Sequence, residues 1–238
     1  MQCAFSCAMP KPSASAGRSL EIFVTGGTGY IGQRLIPALV ARGHRVRALA
    51  RAESRRRVPP GATVVVGDAL VADTFVRALR AGDTLVHLIG TPHPSPSKAA
   101  EFKSVDLASI HASVEASRRS GVAHIVYVSV AQPAPVMRAY VEARAAGEAA
   151  IVESGVPASV LRPWYVVGPG HRWATALAPL YFLAELLPPT RGGARRLGLV
   201  TLGEMVGALV AAVESDPPQG VRIIDVQEIR RLGRAASG

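Results

Sequence analysis

The chain has 238 residues, of which 49% are hydrophobic and 18% are charged, and its formal net charge is +10 at pH 7. This length suits one α/β domain with room for a small appended lobe, and the apolar content excludes disorder for most of the chain. The positive charge comes mostly from scattered arginines, apart from the run Arg55, Arg56 and Arg57. No nucleic-acid-binding motif accompanies them, so we expect an arginine-rich solvated surface and no nucleic-acid partner.

Residues 1–19 form a leader that is small and polar and contains both cysteines, Cys3 and Cys7. The leader lacks the basic start and the continuous apolar stretch of a signal peptide. We therefore expect it to be disordered, or to be sequence upstream of an internal start at Met9. Because the rest of the chain has no cysteine, we expect neither a disulfide framework nor a thiolate metal site. No His/Cys/Asp/Glu cluster has metal-ligand spacing.

The most apolar later stretch, residues 173–187, is interrupted by Pro179 and Glu185. It is too short and too broken to span a bilayer. We therefore expect a soluble, cytoplasmic protein that is a monomer or a homodimer and binds a small-molecule substrate.

Short apolar strands alternate with helical patterns along the chain. Strand patterns cover residues 20–25, 46–50, 63–66, 84–89, 124–129 and 158–161, and helical spacing of apolar residues covers 30–41, 69–80, 101–120 and 138–154. After Pro163 a helix is predicted at 202–214 and a last strand at 221–226. The alternation predicts an α/β Rossmann fold, a doubly wound parallel sheet with right-handed crossovers. Residues 20–163 would form the dinucleotide-binding core, and residues 164–238 would complete the sheet and form a small substrate lobe.

A glycine-rich turn joins the first predicted strand to the first helix. It reads Gly26, Gly27, Thr28, Gly29, Tyr30, Ile31, Gly32. Glycines allow the tight strand-to-helix turn and let the backbone approach a pyrophosphate, while the N–H groups and dipole at the helix start favour that anion. With a strand before it, an amphipathic helix after it and a second strand about 20 residues on, the motif predicts a dinucleotide site.

The residue that follows the second strand indicates which dinucleotide binds. NAD-preferring sites carry an acid there for the ribose, whereas NADP sites use arginine for the 2′-phosphate. This strand ends in Arg51, and Glu53 is the only nearby acid. The guanidinium group suits a phosphate, so NADP(H) is the predicted cofactor, with NAD(H) possible.

Four motifs occur in the order of one known family. They are Thr25 to Gly32, Gly67-Asp68, Val126-Tyr127-Val128-Ser129 and Leu161-Arg162-Pro163. Together they resemble the atypical short-chain dehydrogenase/reductases, especially the NmrA-like and NAD(P)H-binding groups related to the NAD-dependent epimerases and dehydratases. The resemblance implies that Asp68 faces the adenine. It also implies that Ile89, Gly90 and Thr91 pass beside the adenosine ribose and the phosphates.

The same resemblance implies catalysis by a serine, a tyrosine and a lysine four residues beyond the tyrosine. Ser129 and Tyr140 stand at such places, and Arg144 replaces the lysine. Arginine supplies the positive charge that favours a phenolate, but its shape differs. Arg144→Lys would restore the family pattern and is expected to preserve or raise activity. Glu148, one step further along the helix, is interpreted as a helix-surface charge.

Two functions follow from these residues. The first is an NADP(H)-dependent oxidoreductase that transfers a hydride to or from a small carbonyl or alcohol. The second is a non-catalytic NADP(H)-binding redox sensor or accessory protein, as in the NmrA-like group. Tyr140 with its neighbouring cation favours the first, and Arg144 in place of lysine favours the second.

Overall fold

The computed structural model describes residues 19–92, 94–134, 136–169 and 197–236. The predicted leader, except Ser19, and the apolar stretch 173–187 lie outside the described residues. Seven strands form one parallel sheet in the order β3-β2-β1-β4-β5-β6-β9. The strands of this sheet are β1 Glu21–Thr25, β2 Arg45–Ala50, β3 Thr63–Val66, β4 Thr84–His87, β5 His124–Val128, β6 Ala158–Leu161 and β9 Val221–Ile224. The predicted Rossmann-type doubly wound sheet is confirmed.

Helices flank the sheet on both faces. Helix α1 is Gly32–Ala41, α3 is Arg138–Ser154, α4 is Leu202–Glu214 and α5 is Val226–Ala235. Helix α2, between β4 and β5, has three consecutive sections: Ala99–Glu101, the π-helical Phe102–Leu107 and Ala108–Ser120. Beyond residue 163, β7 Tyr165–Val167 and β8 Leu199–Thr201 pair in a separate two-stranded parallel sheet. No helix in the described parts of the chain is long and apolar enough to cross a bilayer.

The hydrophobic core has one layer on each face of the sheet. Helices α1, α4 and α5 cover one face, with Leu35, Leu209 and Ile229 fully buried. Helices α2 and α3 cover the other face, where Ile110 and Ile151 are fully buried. This arrangement explains why strands buried on both faces read as nearly continuous apolar runs.

The predicted helix at 69–80 is wrong. Two short 3-10 turns, Ala72–Thr74 and Val76–Ala78, lie there instead. The Asp68 carboxylate accepts the N–H of Leu70 at 2.9 Å, and the Thr74 hydroxyl donates to the carbonyl of Val71 at 2.7 Å. Such side-chain bonds to nearby backbone compete with helix formation.

The predicted last strand is shorter than expected because a helix begins at its end. Strand β9 stops at Ile224, and the Asp225 side chain accepts the N–H of Glu228 at 2.9 Å as the N-cap of α5. Asp is a favoured N-cap residue, so the sequence carried this signal.

The strand register places the predicted site residues at one edge of the sheet. Thr25, the last residue of β1, pairs with Leu49 of β2 and with His87 of β4. His87 in turn pairs with Tyr127 of β5. The residues that follow these parallel strands therefore share the carboxyl edge, where ligands bind in open α/β sheets.

Candidate functional site

Three glycines shape the turn after β1. Gly26 has φ 75°, and a Cβ there would lie 2.8 Å from the carbonyl carbon of Leu88. A Cβ on Gly32 would lie 2.6 Å from the Gly26 oxygen, and one on Gly27 would lie 2.7 Å from Ile36. These residues are glycine because the turn packs tightly against itself, against α1 and against the segment after β4.

Gly29 differs from these glycines because it is exposed and less closely packed. A Cβ there would meet only the Gly26 oxygen, at 3.2 Å. Within the described residues, the backbone N–H groups of Thr28 and Ile31 have no hydrogen-bond acceptor. These unpaired N–H groups and the exposed backbone at Gly29, at the start of α1, suit a pyrophosphate, so the turn fits the implied dinucleotide.

Tyr30 and Ile31 belong to the packing of this turn. The Tyr30 hydroxyl lies against Gly168, just beyond β7, and burial raises the pKa of Tyr30. Ile31 is partly buried against the core layer of α1. These side chains hold the turn in place, while Thr28 and Gly29 lie at its more open part.

Arg51 is exposed at the end of β2. Its Nε lies 3.2 Å from a carboxylate oxygen of Glu53, and both side chains are 68% exposed. The 3-10 segment Ala52–Arg57 follows, and the carbonyl of Arg57 accepts a hydrogen bond from Gln33 of α1. The arginine run is thereby tied to the helix that begins at the glycine turn.

Asp68 follows β3 and is half-buried. One carboxylate oxygen of Asp68 accepts the N–H of Leu70, and the backbone N–H of Asp68 donates to the Thr74 hydroxyl at 2.9 Å. Asp68 thus forms a turn at the carboxyl edge of the sheet, where the resemblance implies that it faces the adenine.

Thr91, at the end of the segment after β4, binds a buried carboxylate that the sequence analysis did not single out. Asp106 Oδ2 accepts the Thr91 N–H at 2.9 Å and the Thr91 hydroxyl at 2.6 Å. Asp106 Oδ1 lies 2.7 Å from Arg144 Nη2. The sequence did hold a signal, because Asp106 stands four residues from both Phe102 and Ile110, which are buried on the same side of α2.

The guanidinium of Arg144 is buried among four groups. Besides Asp106, its Nη1 donates to the Val128 carbonyl at 3.0 Å and lies 3.4 Å from the Tyr127 hydroxyl. Its Cζ lies 5.2 Å from the centroid of the Tyr140 ring. Burial by itself lowers the pKa of Arg144, but the charges of Tyr140, Tyr127 and Asp106 raise it above its ordinary value. Arg144 therefore remains a cation inside the protein.

The prediction that Glu148 is a surface charge is wrong, because Glu148 is only 7% exposed. One of its oxygens accepts the Ser129 hydroxyl at 2.5 Å, the Gln132 amide at 2.9 Å and Arg162 Nε at 3.0 Å. The other oxygen accepts Arg162 Nη2. Glu148 lies one turn beyond Arg144, on the α3 face that covers the sheet edge. The structure thus brings Tyr140 to Arg144, and Ser129 to Glu148.

His87 at the end of β4 is fully buried beneath this edge. Its Nδ1 lies 3.0 Å from the hydroxyls of Thr25 and Ser113, and its Nε2 lies 3.3 Å from the Ser109 hydroxyl. Burial, and then the charge of Arg144, lowers the pKa of His87 to about 3. A neutral imidazole therefore joins β1 to α2 directly before the glycine turn.

A cavity of about 440 Å³ opens between the start of α3 and the segments that follow β5 and β6. Its lining residues are Gln132, Pro133, Ala134, Arg138, Val141, Glu142 and Arg162. Two of these residues, Gln132 and Arg162, also bind the Glu148 carboxylate.

The chain is similar to proteins that bind NAD(P)H and to known reductases. A family model described as NAD(P)H-binding matches residues 26–172. A 3-diazoavenalumate denitrifying reductase from Streptomyces is 32% identical over 236 residues, which cover 87% of this chain and 76% of that protein. A ceramide reductase from Caulobacter vibrioides is 27% identical over 217 residues, which cover 89% of this chain and 66% of that protein.

Solved structures show a shared fold. A UDP-galactose 4-epimerase has a TM-score of 0.63 at 24% identity, covering 89% of this chain and 81% of that chain. The UDP-N-acetylglucosamine 4-epimerase from Bacillus cereus has a TM-score of 0.65 at 19% identity, covering 90% and 84%. The chain belongs to the NAD(P)H-binding family and shares its fold with these epimerases.

Proposed function

We propose that the protein is an NADP(H)-dependent oxidoreductase that transfers a hydride to or from a small carbonyl or alcohol substrate. The observation that carries this proposal is the shared edge of the sheet. The open glycine turn at Gly29 and the α3 face with Tyr140 and Arg144 both lie there. The names of the two reductase relatives support an oxidoreductase.

The cofactor would lie along the carboxyl edge. The N–H groups around Gly29 would hold the pyrophosphate, and Arg51 would bind the 2′-phosphate. Asp68 would face the adenine, and Ile89, Gly90 and Thr91 would pass beside the ribose and phosphates. When bound, NADPH supplies the hydride.

Tyr140 would exchange the proton. In the reduction direction its hydroxyl gives a proton to the carbonyl oxygen while the carbonyl carbon gains a hydride, which leaves an alcohol and a phenolate. Arg144, over the Tyr140 ring, would place a positive charge beside that phenolate. Ser129 would hold the substrate oxygen. In the structure its hydroxyl hydrogen points to Glu148, so its lone pairs suit the hydroxyl of an alcohol in the oxidation direction.

A second function, a non-catalytic NADP(H)-binding sensor of the NmrA-like kind, is favoured by one specific observation. The charge of Arg144 and the hydroxyl proton of Ser129 are both engaged within the protein, by Asp106 and Glu148 respectively. A sensor would bind the cofactor without needing either group for chemistry.

Consumption of NADPH across a panel of quinones, aldehydes and ketones tests the two functions. Tyr140→Phe keeps the ring against Phe102 and Arg144 and removes the hydroxyl. We expect kcat to fall by about 10² to 10⁴ while the NADPH Kd stays unchanged. Equal turnover of the variant and the wild type would remove Tyr140 from the mechanism. Tight NADPH binding with no consumption of any substrate would favour the sensor.

A further inference from the structure

Asp106 and Arg144 form a buried ion pair. The proposed role of Arg144, a positive charge beside Tyr140, does not require this burial. Their side chains are 1% and 5% exposed, whereas the Arg42–Glu214 pair is 41% and 36% exposed. Burying two charges is costly unless further hydrogen bonds satisfy them. The second oxygen of Asp106 is satisfied by the N–H and hydroxyl of Thr91. The pair therefore ties α3 to the segment after β4.

Gly90 adds a steric contact between this segment and the pair. A Cβ on Gly90 would occupy the place of Arg144 Nη2 and would also lie 3.4 Å from Asp106 Oδ1. The backbone at Gly90 therefore rests directly on the guanidinium, and a larger residue there would displace it.

The same guanidinium reaches the catalytic side of the edge. It donates to the carbonyl of Val128, the residue before Ser129, and packs against the Tyr140 ring. The Arg144 guanidinium thus contacts the end of β5, the Gly90 backbone and the ring of Tyr140. Lysine has a single nitrogen on a flexible stem and lacks the planar fork that reaches these partners together.

We infer that Asp106 and Arg144 are a positioning pair that holds Gly90 and Thr91, the proposed cofactor wall, in register with Tyr140. The inference rests on the proposed function for the placement of the cofactor beside these two residues. Arg144 acts through Asp106, Gly90 and the Tyr140 ring, and does not need to touch the cofactor. The sequence led us to expect that Arg144→Lys preserves or raises activity. The inference reverses that expectation, because lysine would hold Gly90 and Thr91 less firmly.

Titration of NADPH into the full chain, followed by nucleotide fluorescence, tests the pair. We expect Asp106→Asn and Arg144→Lys each to weaken NADPH binding by about tenfold or more. The double variant Asp106→Asn/Arg144→Lys should bind no more weakly than the weaker single variant, because both changes break one interaction. Glu214→Gln, the matched loss of a carboxylate at the exposed pair with Arg42, should bind as the wild type does.

Gly90→Ala covers the case in which loss of a buried charge prevents folding. It keeps both charges and directs its added methyl at the guanidinium, so NADPH binding should again weaken by about tenfold. Folded variants that melt earlier but bind NADPH like the wild type would reduce the pair to a structural role and overturn the inference. Wild-type affinity in Arg144→Lys, or additive losses in the double variant, would also overturn it. Absence of NADPH and NADH binding in the wild type would instead contradict the proposed function.

Discussion

The guanidinium of Arg144 lies over the ring of Tyr140, with 5.2 Å between the Arg144 Cζ and the ring centroid. The two residues are one turn apart on α3 and share a face, as the spacing predicts. The Tyr140 ring also packs against Phe102 of α2, with 5.0 Å between the centroids and 57° between the planes. A cation–π contact and an aromatic pair, each worth about 0.5–1.5 kcal/mol, thus fix the direction of the phenol.

Gly29→Val is expected to abolish NADPH binding while the protein stays folded. Gly29 is exposed, and a Cβ there would contact only the Gly26 oxygen, at 3.2 Å, so the new side chain projects where the pyrophosphate would approach. The measurement is a nucleotide titration together with a melting curve.

Gly203→Val is the control for that change. Gly203 lies in α4, and a Cβ there meets nothing within 4 Å. This variant should bind NADPH normally. If Gly29→Val also bound normally, the cofactor site would have to lie elsewhere.

Arg51 is expected to decide the choice between NADPH and NADH. We expect the wild type to bind NADPH at least about tenfold more tightly, which is about 1.4 kcal/mol. Arg51→Ala should remove most of this preference without changing the NADH affinity. Titrations of both nucleotides against both proteins provide the measurement, and equal affinities in the wild type would contradict the prediction.

Glu53→Gln should have the opposite effect. Glu53 pairs with Arg51 at 3.2 Å and competes with a phosphate for the guanidinium. Because both side chains are exposed, the pair is worth at most about 1 kcal/mol, so NADPH affinity should rise by a few-fold at low salt. The NADH affinity serves as the internal reference, and a fall in the NADPH affinity would refute competition.

Glu148→Gln is expected to destabilise the fold by about 1–3 kcal/mol. The amide keeps one acceptor oxygen but places N–H donors against donors from Arg162 or Ser129. Urea unfolding measures the loss. Glu153→Gln, on the exposed side of α3, should unfold as the wild type does. Equal stabilities of the wild type and both variants would show that the hydrogen bonds of Glu148 do not stabilise the fold.

His87 should make stability fall with acidification. Its pKa is about 3 in the folded protein, whereas an unfolded histidine has a pKa of about 6.5. Between these values the unfolded chain binds a proton that the folded protein excludes. The stability contribution is therefore complete above about pH 6.5 and is lost toward about pH 3, by up to about 1.4 kcal/mol per pH unit. Burial also lowers the pKa of His124, to about 4, and this adds to the slope.

His87→Gln should flatten this dependence, measured as the free energy of unfolding in urea at several pH values. The matched variant His111→Gln, at an exposed position of α2, should keep the wild-type slope. A slope in His87→Gln as steep as in the wild type would show that other groups cause the acid sensitivity.

The sequence by itself determined the sheet and the glycine turn. Apolar runs with β-branched residues predict strands through local periodicity, and Gly26, Gly29 and Gly32 encode a turn that few other residues could form. Since parallel strands end at one edge, Arg51 after β2 and Ser129 after β5 lie at the same carboxyl edge, with β1 and β4 between them. These features depend on a few adjacent residues and can therefore be predicted from the sequence.

Only the tertiary structure decided which charged groups are buried and with what partner. Glu148 has the local pattern of a surface charge on α3, and its burial depends on Ser129 and Arg162 from two strand ends. Asp106 meets Arg144 across 38 positions of chain because α2 and α3 pack side by side over the sheet edge. The spacing of Asp106 from Phe102 and Ile110 indicates the buried side of α2. The donors that make its carboxylate part of a site come from distant segments, and local spacing does not predict them.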